Sequence, residues 1–356
     1  MVIGQLLELL PWLRAGWGMK RNRSRAGVVV TALLMLLPAA LHGADAPPSR
    51  AREPIRPLPP AAAAEPLRVE LGRRLFADPI LSGDGTVSCR SCHDPAHGGA
   101  DGQPLAVGIG GATGTVNTPT VFNADLNLAQ FWDGRARSLE EQAGGPITNP
   151  VEMAADWPGV VARLTASPYR GAFRAAFGGD PTPDRVRAAL AAYERTLVTA
   201  GSRFDAWLMG DEAALSRDEA EGYALFKSYG CASCHQGANV GGNMFQRFGF
   251  FGDPFADRDG GGGGERPSDL GRFAVTGRDA DRRVFKVPSL RLAVLTAPYF
   301  HDGSVATLAE AVRLMGRYQL GHEIPDADVA LIVQFLGTLP GPLPEAGPDG
   351  AAGGGS

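Results

Sequence analysis

Apolar residues recur at three- and four-residue spacing over much of this chain, and alternating strand patterns are scarce. The spacing predicts helices over 66–76, 157–164, 183–197, 216–226, 308–315 and 326–339. Pro183 stands where a helix would start, and Pro340 stops the last one. The stretches at 66–76 and 216–226 are both amphipathic, and they end alike, in Leu75-Phe76 and Leu225-Phe226. They read as two copies of one helix. The pattern places the chain in the mostly α class.

The N-terminal pattern differs. A basic segment from Lys20 to Arg25 precedes a short apolar run, Val28 to Leu37, and then small residues from Ala39 to Ala46. This is the layout of a secretory signal, with an apolar run too short for a spanning helix. Residues 1–46 are therefore expected to be a cleaved signal region that starts at Met1 or Met19. An uncleaved anchor is the other reading. Residues 47–65 are rich in Pro and Ala and read as an extended lead-in. The run Gly260–Gly264 reads as a surface loop, and 340–356 as a Pro/Gly tail that need not order. Without residues 1–46 the chain holds 29 basic and 36 acidic side chains. That balance could steer a basic donor protein towards it, and nothing suggests nucleic acid.

The chemistry is concentrated in four cysteines, the whole complement of the chain. They form two C-x-x-C-H runs, Cys89-Arg90-Ser91-Cys92-His93 and Cys231-Ala232-Ser233-Cys234-His235. This is the spacing at which two thiols bond to the vinyl groups of a haem and the following imidazole binds its iron. A zinc knuckle or a redox pair could explain one such run. Two runs with no cysteine left over point to two covalently bound c-type haems. Export fits, because bacterial c-type haems are attached outside the cytoplasmic membrane, so a periplasmic location is expected.

Each run falls early in its own half. The division expected is an N-terminal haem domain over 66–200 and a C-terminal haem domain over 201–339, both cytochrome-c-like. The sixth ligand of each iron then decides function, because His lowers the potential, Met raises it and an open site admits peroxide. His97 is only four residues past His93 and reads as a surface or propionate-contacting residue. His301 reads as a propionate or interface contact, and Arg135 and Arg272 as propionate partners. By spacing alone Met315 reads as ordinary core, and the residues themselves leave its role open.

Several ordered blocks carry a resemblance. They include Asn117-Thr118-Pro119-Thr120, Gln130-Phe131-Trp132-Asp133-Gly134-Arg135, Pro150-Val151-Glu152-Met153, Ala297-Pro298-Tyr299-Phe300-His301-Asp302-Gly303 and Leu314-Met315-Gly316. With the two haem runs, the chain resembles the bacterial di-haem cytochrome c peroxidases over nearly all of its mature length. The resemblance implies that His93 holds a peroxidatic haem, and that His235 and Met315 hold a higher-potential electron-transfer haem. It implies that Glu152 and Gln142 form the polar pair over the peroxide site, and that Trp132 lies between the haems. It also implies a calcium site from Asn117 and the carbonyls of Thr296 and Pro298, oxygen ligands that suit a hard cation.

In most of these peroxidases a histidine in the loop before the Asn-x-Pro-Thr block caps the peroxidatic iron at rest. Counting back from Asn117, that position is Ile109, which cannot bind iron. The first haem is therefore expected to be open without reductive activation. This departure is shared with proteins resembling the methylamine dehydrogenase maturation enzyme, MauG, which oxidises side chains of a partner protein. That enzyme has tyrosine where this chain keeps Met315.

The expected function is reduction of hydrogen peroxide to water, with electrons from a small periplasmic cytochrome c or cupredoxin. Glu152 would move the proton that O–O cleavage requires, Gln142 would position the peroxide, and Trp132 would couple the haems. The alternatives are a MauG-like enzyme and a non-catalytic electron-transfer cytochrome. The resemblance also admits a homodimer.

Overall fold

Prolines, caps and a few glycines lay out the helices of the computed structural model, which describes residues 50, 52–256, 258 and 264–343. In the first half the helices are α1 (Pro66–Ala77), α2 (Cys89–Cys92), α3 (Leu139–Thr148), α4 (Trp157–Thr165), α5 (Tyr169–Phe177) and α6 (Pro183–Glu194). In the second half they are α7 (Arg203–Leu208), α8 (Arg217–Ser228), α9 (Phe273–Thr276), α10 (Leu308–Leu314) and α11 (Asp326–Leu336). A single two-stranded antiparallel ribbon pairs β1 (Phe245–Arg247) with β2 (Val284–Lys286) among the described residues. The protein is mostly helical, as the periodicity predicts.

Local chemistry explains the starts. Pro66 and Pro183 occupy first-turn positions, where their missing N–H costs nothing. Ser138, Asp156, Thr182 and Thr307 accept from the third backbone N–H of α3, α4, α6 and α10. Ser216 and Glu219 complete a capping box on α8.

Two hydrophobic clusters form. The first gathers Leu71, Leu75 and Phe76 of α1 with Ile147, Phe173, Val186 and Leu190 of α3, α5 and α6. The second gathers Phe204, Tyr223, Phe226, Val312, Ile332 and Phe335 of α7, α8, α10 and α11. The same device sets the helix crossing in each. A Cβ added at Gly72 of α1 would stand 1.9 Å from the Ala189 carbonyl oxygen on α6. One added at Gly222 of α8 would stand 2.0 Å from the Leu331 oxygen on α11. Each glycine lies four residues before the Phe of its Leu-Phe pair, so the two helices are equivalent in packing as well as in pattern.

Boundaries shift where tertiary contacts intervene. The helix expected over 183–197 stops at Glu194, and the one over 326–339 stops at Leu336. Helix α10 ends at Leu314 and continues as a π-helical turn, Met315–Leu320. The lead-in is extended, and it is also built into the core. Ile55 is 1% exposed, bridges Gly237, and belongs to the second cluster. At the other end Leu343 packs on the first cluster, so the tail is ordered over its first residues. The signal region, most of the glycine run and the tail beyond residue 343 lie outside the described residues. No helix among the described residues is long and apolar enough to cross a membrane.

One buried ion pair ties the second half together. Arg291, with no exposure, donates to Asp205 Oδ1 (2.7 Å), the Ala238 carbonyl (2.8 Å) and the Arg56 carbonyl (2.8 Å). Asp205→Ala strands this guanidinium without a counter-charge and is expected to lower unfolding free energy by about 3–5 kcal/mol, read from urea midpoints. A double Asp205→Leu, Arg291→Met variant is expected to recover most of that loss.

Candidate active site

The first C-x-x-C-H run is folded by its own start. Ser88 and Ser91 form a capping box around the one-turn helix α2, so Cys89 and Cys92 fall on one side, with His93 as its C-cap. His93 Nδ1 faces the Gly99 carbonyl at 3.1 Å, which leaves Nε2 as the ligating nitrogen. Burial pushes the His93 imidazole below its ordinary value, towards the neutral form that a metal needs. Beside it lies a cavity of about 650 Å³, within the range of cofactor sites. Cys89, Cys92, His93, Trp132, Gln142, Glu152 and Glu194 line it.

Glu152 sits in the loop after α3, and Asn149 Nδ2 donates to its Oε1 at 2.5 Å. Burial raises its carboxyl above the usual range, against the opposing effects of Asn149 and Arg135. A carboxyl moved that way is better matched to proton transfer near neutral pH. Gln142 points from α3 into the same cavity. Ile109 is placed by its backbone, whose N–H donates to the Glu152 carbonyl at 2.8 Å. Gly108 lines the cavity, while Ile109 is not among the lining residues.

The second run, on a single 3-10 turn, opens onto a smaller cavity of about 200 Å³. Cys231, Cys234, His235 and Met315 line it, with Phe226, Leu308, Val312, Ile324, Ile332 and Leu336. His235 is buried, its Nδ1 has no hydrogen bond, and burial pushes its imidazole down to about 4. Met315 reaches this cavity as the first residue of the π turn, a local widening often found at functional sites. None of the four cysteines forms a disulfide, and burial pushes Cys89 and Cys231 up to about 12. Neutral buried imidazoles, paired thiols and adjoining cavities are what a covalently attached haem requires, so the residues fit the group.

The cavities share a wall. Trp132 lines both, as do Asn117, Thr118, Pro119 and Phe131. Trp132 Nε1 donates to the Asn117 carbonyl (2.9 Å), and its own carbonyl accepts from Lys286 N (2.8 Å). Asn117, Thr296 and Pro298 all line the second cavity. The Asn117 amide nitrogen donates to Gln103 O at 2.9 Å, so its Oδ1 is available to a cation.

The remaining sequence candidates separate. His97 is on the surface, paired with Asp94 at 2.8 Å. His301 is buried against Asp269 (2.7 Å) and stacked on Phe285 (4.5 Å). Arg135 lines the first cavity while lying over Phe131 at 3.5 Å, and Arg272 lies over Phe245. Asp269, His301 and Asp302 come together, but Arg258 neutralises both carboxylates at 2.9 and 3.4 Å.

Two residues escaped the sequence reading. Glu194, 6% exposed, lines the first cavity, and burial pushes it up to about 8. Lys286, 7% exposed, lines the second, and burial pushes it down to about 8. Each left a signal: Glu194 continues the Val186–Leu190 row of α6, and Lys286 interrupts the apolar run Val284-Phe285-Lys286-Val287.

Comparison with known proteins agrees with this geometry. The family described as "Di-haem cytochrome c peroxidase" matches residues 66–213. "Cytochrome c551 peroxidase" of Nitrosomonas europaea is 47% identical over 319 residues, 89% of this chain and 92% of that protein. The chain belongs to the di-haem cytochrome c peroxidase family. It is a di-haem oxidoreductase, and the family implies two c-type haems. "Methylamine utilization protein MauG" of Methylorubrum extorquens is 44% identical, over 72% of this chain and 70% of that one. The crystal structure of a MauG-like protein associated with microbial copper homeostasis aligns with TM-score 0.69 and 30% identity, covering 83% of this chain and 94% of the other.

A Cys231→Ser, Cys234→Ser variant is expected to carry one covalent haem per chain instead of two, counted from the absorbance of its alkaline pyridine complex. Two haems in that variant would show that the second run is not an attachment site.

Proposed function

We propose that this protein is an exported peroxidase of two cytochrome-c-like haem domains, the first for peroxide and the second for electron entry. The observation that carries the reading is that one side chain, Trp132, borders both cavities. When bound, the haems supply the oxygen chemistry and the electron storage, while the protein tunes polarity and ligands. His93 holds the first group through Nε2, and His235 with Met315 holds the second.

Glu152 would accept a proton from one oxygen of hydrogen peroxide and return it to the other, the cleavage itself being chemistry that the haem would supply. Burial raises the Glu152 carboxyl above the ordinary range, the direction that suits the second half of that transfer. Gln142 fixes the peroxide by hydrogen bonding, and Trp132 couples the two cavities electronically. A small periplasmic cytochrome c or cupredoxin provides the electrons. Calcium held by Asn117 Oδ1 and the carbonyls of Thr296 and Pro298 fastens the wall between the cavities. Ile109 leaves the first iron without a protein cap, so activity does not wait for prior reduction.

A second reading, oxidation of side chains on a partner protein, is favoured by Ile109 and by the 44% identity to MauG. Met315 on the wall of the second cavity favours the peroxidase.

The test is peroxide-dependent oxidation of a ferrous small cytochrome c, with the enzyme fully ferric and again after pre-reduction of the second haem. Immediate turnover in both states is expected. Turnover only after pre-reduction would show that another residue caps the first iron. Glu152→Gln is expected to lower kcat by about 100- to 10,000-fold, the usual share of a general acid–base. Prior removal of calcium by a chelator is expected to slow turnover, with recovery when the ion is restored.

A further inference from the structure

A chain of aromatic rings leads away from the second cavity on the side opposite to any role assigned above. Phe226 lines the cavity. Phe335 is 5.2 Å from it, centroid to centroid, and Tyr223 is 5.0 Å beyond. Trp207 follows, 5.7 Å from Tyr223, and it is half-buried, with the Arg50 guanidinium over its ring at 3.5 Å. Ring contacts of this kind are common in cores. Here the two rings of this row that oxidise easily stand next to each other, and the first has a carboxylate in place as base. Tyr223 is 2% exposed, yet its hydroxyl donates to Glu53 Oε2 at 2.7 Å. Lys227 Nζ holds the same oxygen at 2.9 Å.

The ionisation of the pair is matched to that use. Burial raises Glu53, but the hydrogen bonds from Lys227 and Tyr223 outweigh it and hold the carboxyl below its ordinary range. Burial, then the Glu53 carboxylate, raises the Tyr223 phenol. The phenol therefore keeps its proton until it loses an electron, when a carboxylate is already in place to receive it.

We propose that Tyr223, with Glu53 as its proton acceptor, relays electrons from Trp207 to the second haem site when the external donor is exhausted, and that Trp207 is the residue finally oxidised. This rests on the peroxidase reading. The oxidant is hydrogen peroxide, which takes two electrons and two protons to become two waters. Tyr223 loses an electron to the haem site and its hydroxyl proton to Glu53, then recovers the electron from Trp207 and the proton from Glu53, while the protons lost by the indole pass to water. Two such passages, with water adding to the indole, convert Trp207 to hydroxytryptophan. The net change is Trp207 plus hydrogen peroxide giving hydroxytryptophan plus water.

The experiment treats the haem-loaded ferric protein with hydrogen peroxide without donor, then maps added oxygen by peptide mass spectrometry. Trp157, also half-buried but set on α4 beside the first cluster, is the internal control. Trp207 is expected to gain oxygen in large excess over Trp157, and reduced cytochrome c is expected to suppress the gain. Tyr223→Phe keeps the ring and is expected to lower oxygen at Trp207 several-fold and to remove a tyrosyl radical signal from freeze-quenched electron paramagnetic resonance spectra. Glu53→Gln, which keeps a hydrogen-bond acceptor without the base, is expected to weaken that signal. Equal oxidation of Trp157 and Trp207, or unchanged Trp207 oxidation in Tyr223→Phe, would overturn the relay while leaving a working peroxidase. Failure to consume peroxide even with donor would overturn both readings.

Discussion

A buried guanidinium organises the half of the molecule that holds the second cavity. Arg291 binds the carboxylate of Asp205 on α7, a carbonyl three residues past His235, and a carbonyl of the lead-in. Apolar contact alone fixes neither direction nor register, whereas hydrogen bonds to a guanidinium fix both. The ion pair and its hydrogen bonds fix three chain segments around one point, and the segment that follows, through Ala293, Thr296 and Pro298, becomes cavity wall. Such a pair contributes little net stability compared with apolar packing. Its value here is geometric: it specifies where the haem-binding loop sits relative to the helices beneath it.

The two halves answer the same problem with the same parts. In each, a helix ending in Leu-Phe crosses a later helix at a glycine, so close that any side chain would collide with a carbonyl. Close approach frees the far side of the helix pair for a cofactor. The equivalence of Gly72 with Gly222 is thus a packing relation, not only a likeness of sequence. Between the halves stands Trp132, whose indole N–H and carbonyl are both engaged, so its ring is held in one orientation between the cavities.

Much of this was legible before any coordinates. Strong 3.6-residue periodicity located α1, α4, α6, α8 and α11 because those helices bury one continuous stripe. The cysteine spacing, which covalent haem attachment demands, pointed to the two segments that border the cavities. Other elements were hidden for identifiable reasons. Helix α3 carries Gly144-Gly145-Pro146, a composition that argues against helix, yet Pro146 falls near its end, where Asn149 and Ala155 close the turn onto nearby carbonyls. The lead-in gave only a Pro/Ala bias, although Ile55 is a core residue. Met315 looked like core because an α-helical wheel cannot show a change to π winding. Glu194 and Lys286 were charged residues in apolar rows, and only burial reveals that both face cavities.

The polarity of the two cavities separates their proposed roles more firmly than their ligands do. The first is lined by Gln142, Glu152, Glu194 and Arg135, groups that can orient peroxide and move protons. Burial holds Glu152 and Glu194 above the ordinary carboxyl range, Glu194 at about 8, which favours the protonated form of both. The second has Leu, Ile, Val and Phe side chains over much of its wall, with Asn, Ser, Thr and Gln among them, but no carboxylate, and Lys286 is its one buried cation among the described residues. An apolar surround with a thioether ligand disfavours added charge on the metal and so raises potential. Peroxide chemistry needs the carboxylates that line the first cavity, and electron transfer can proceed without them.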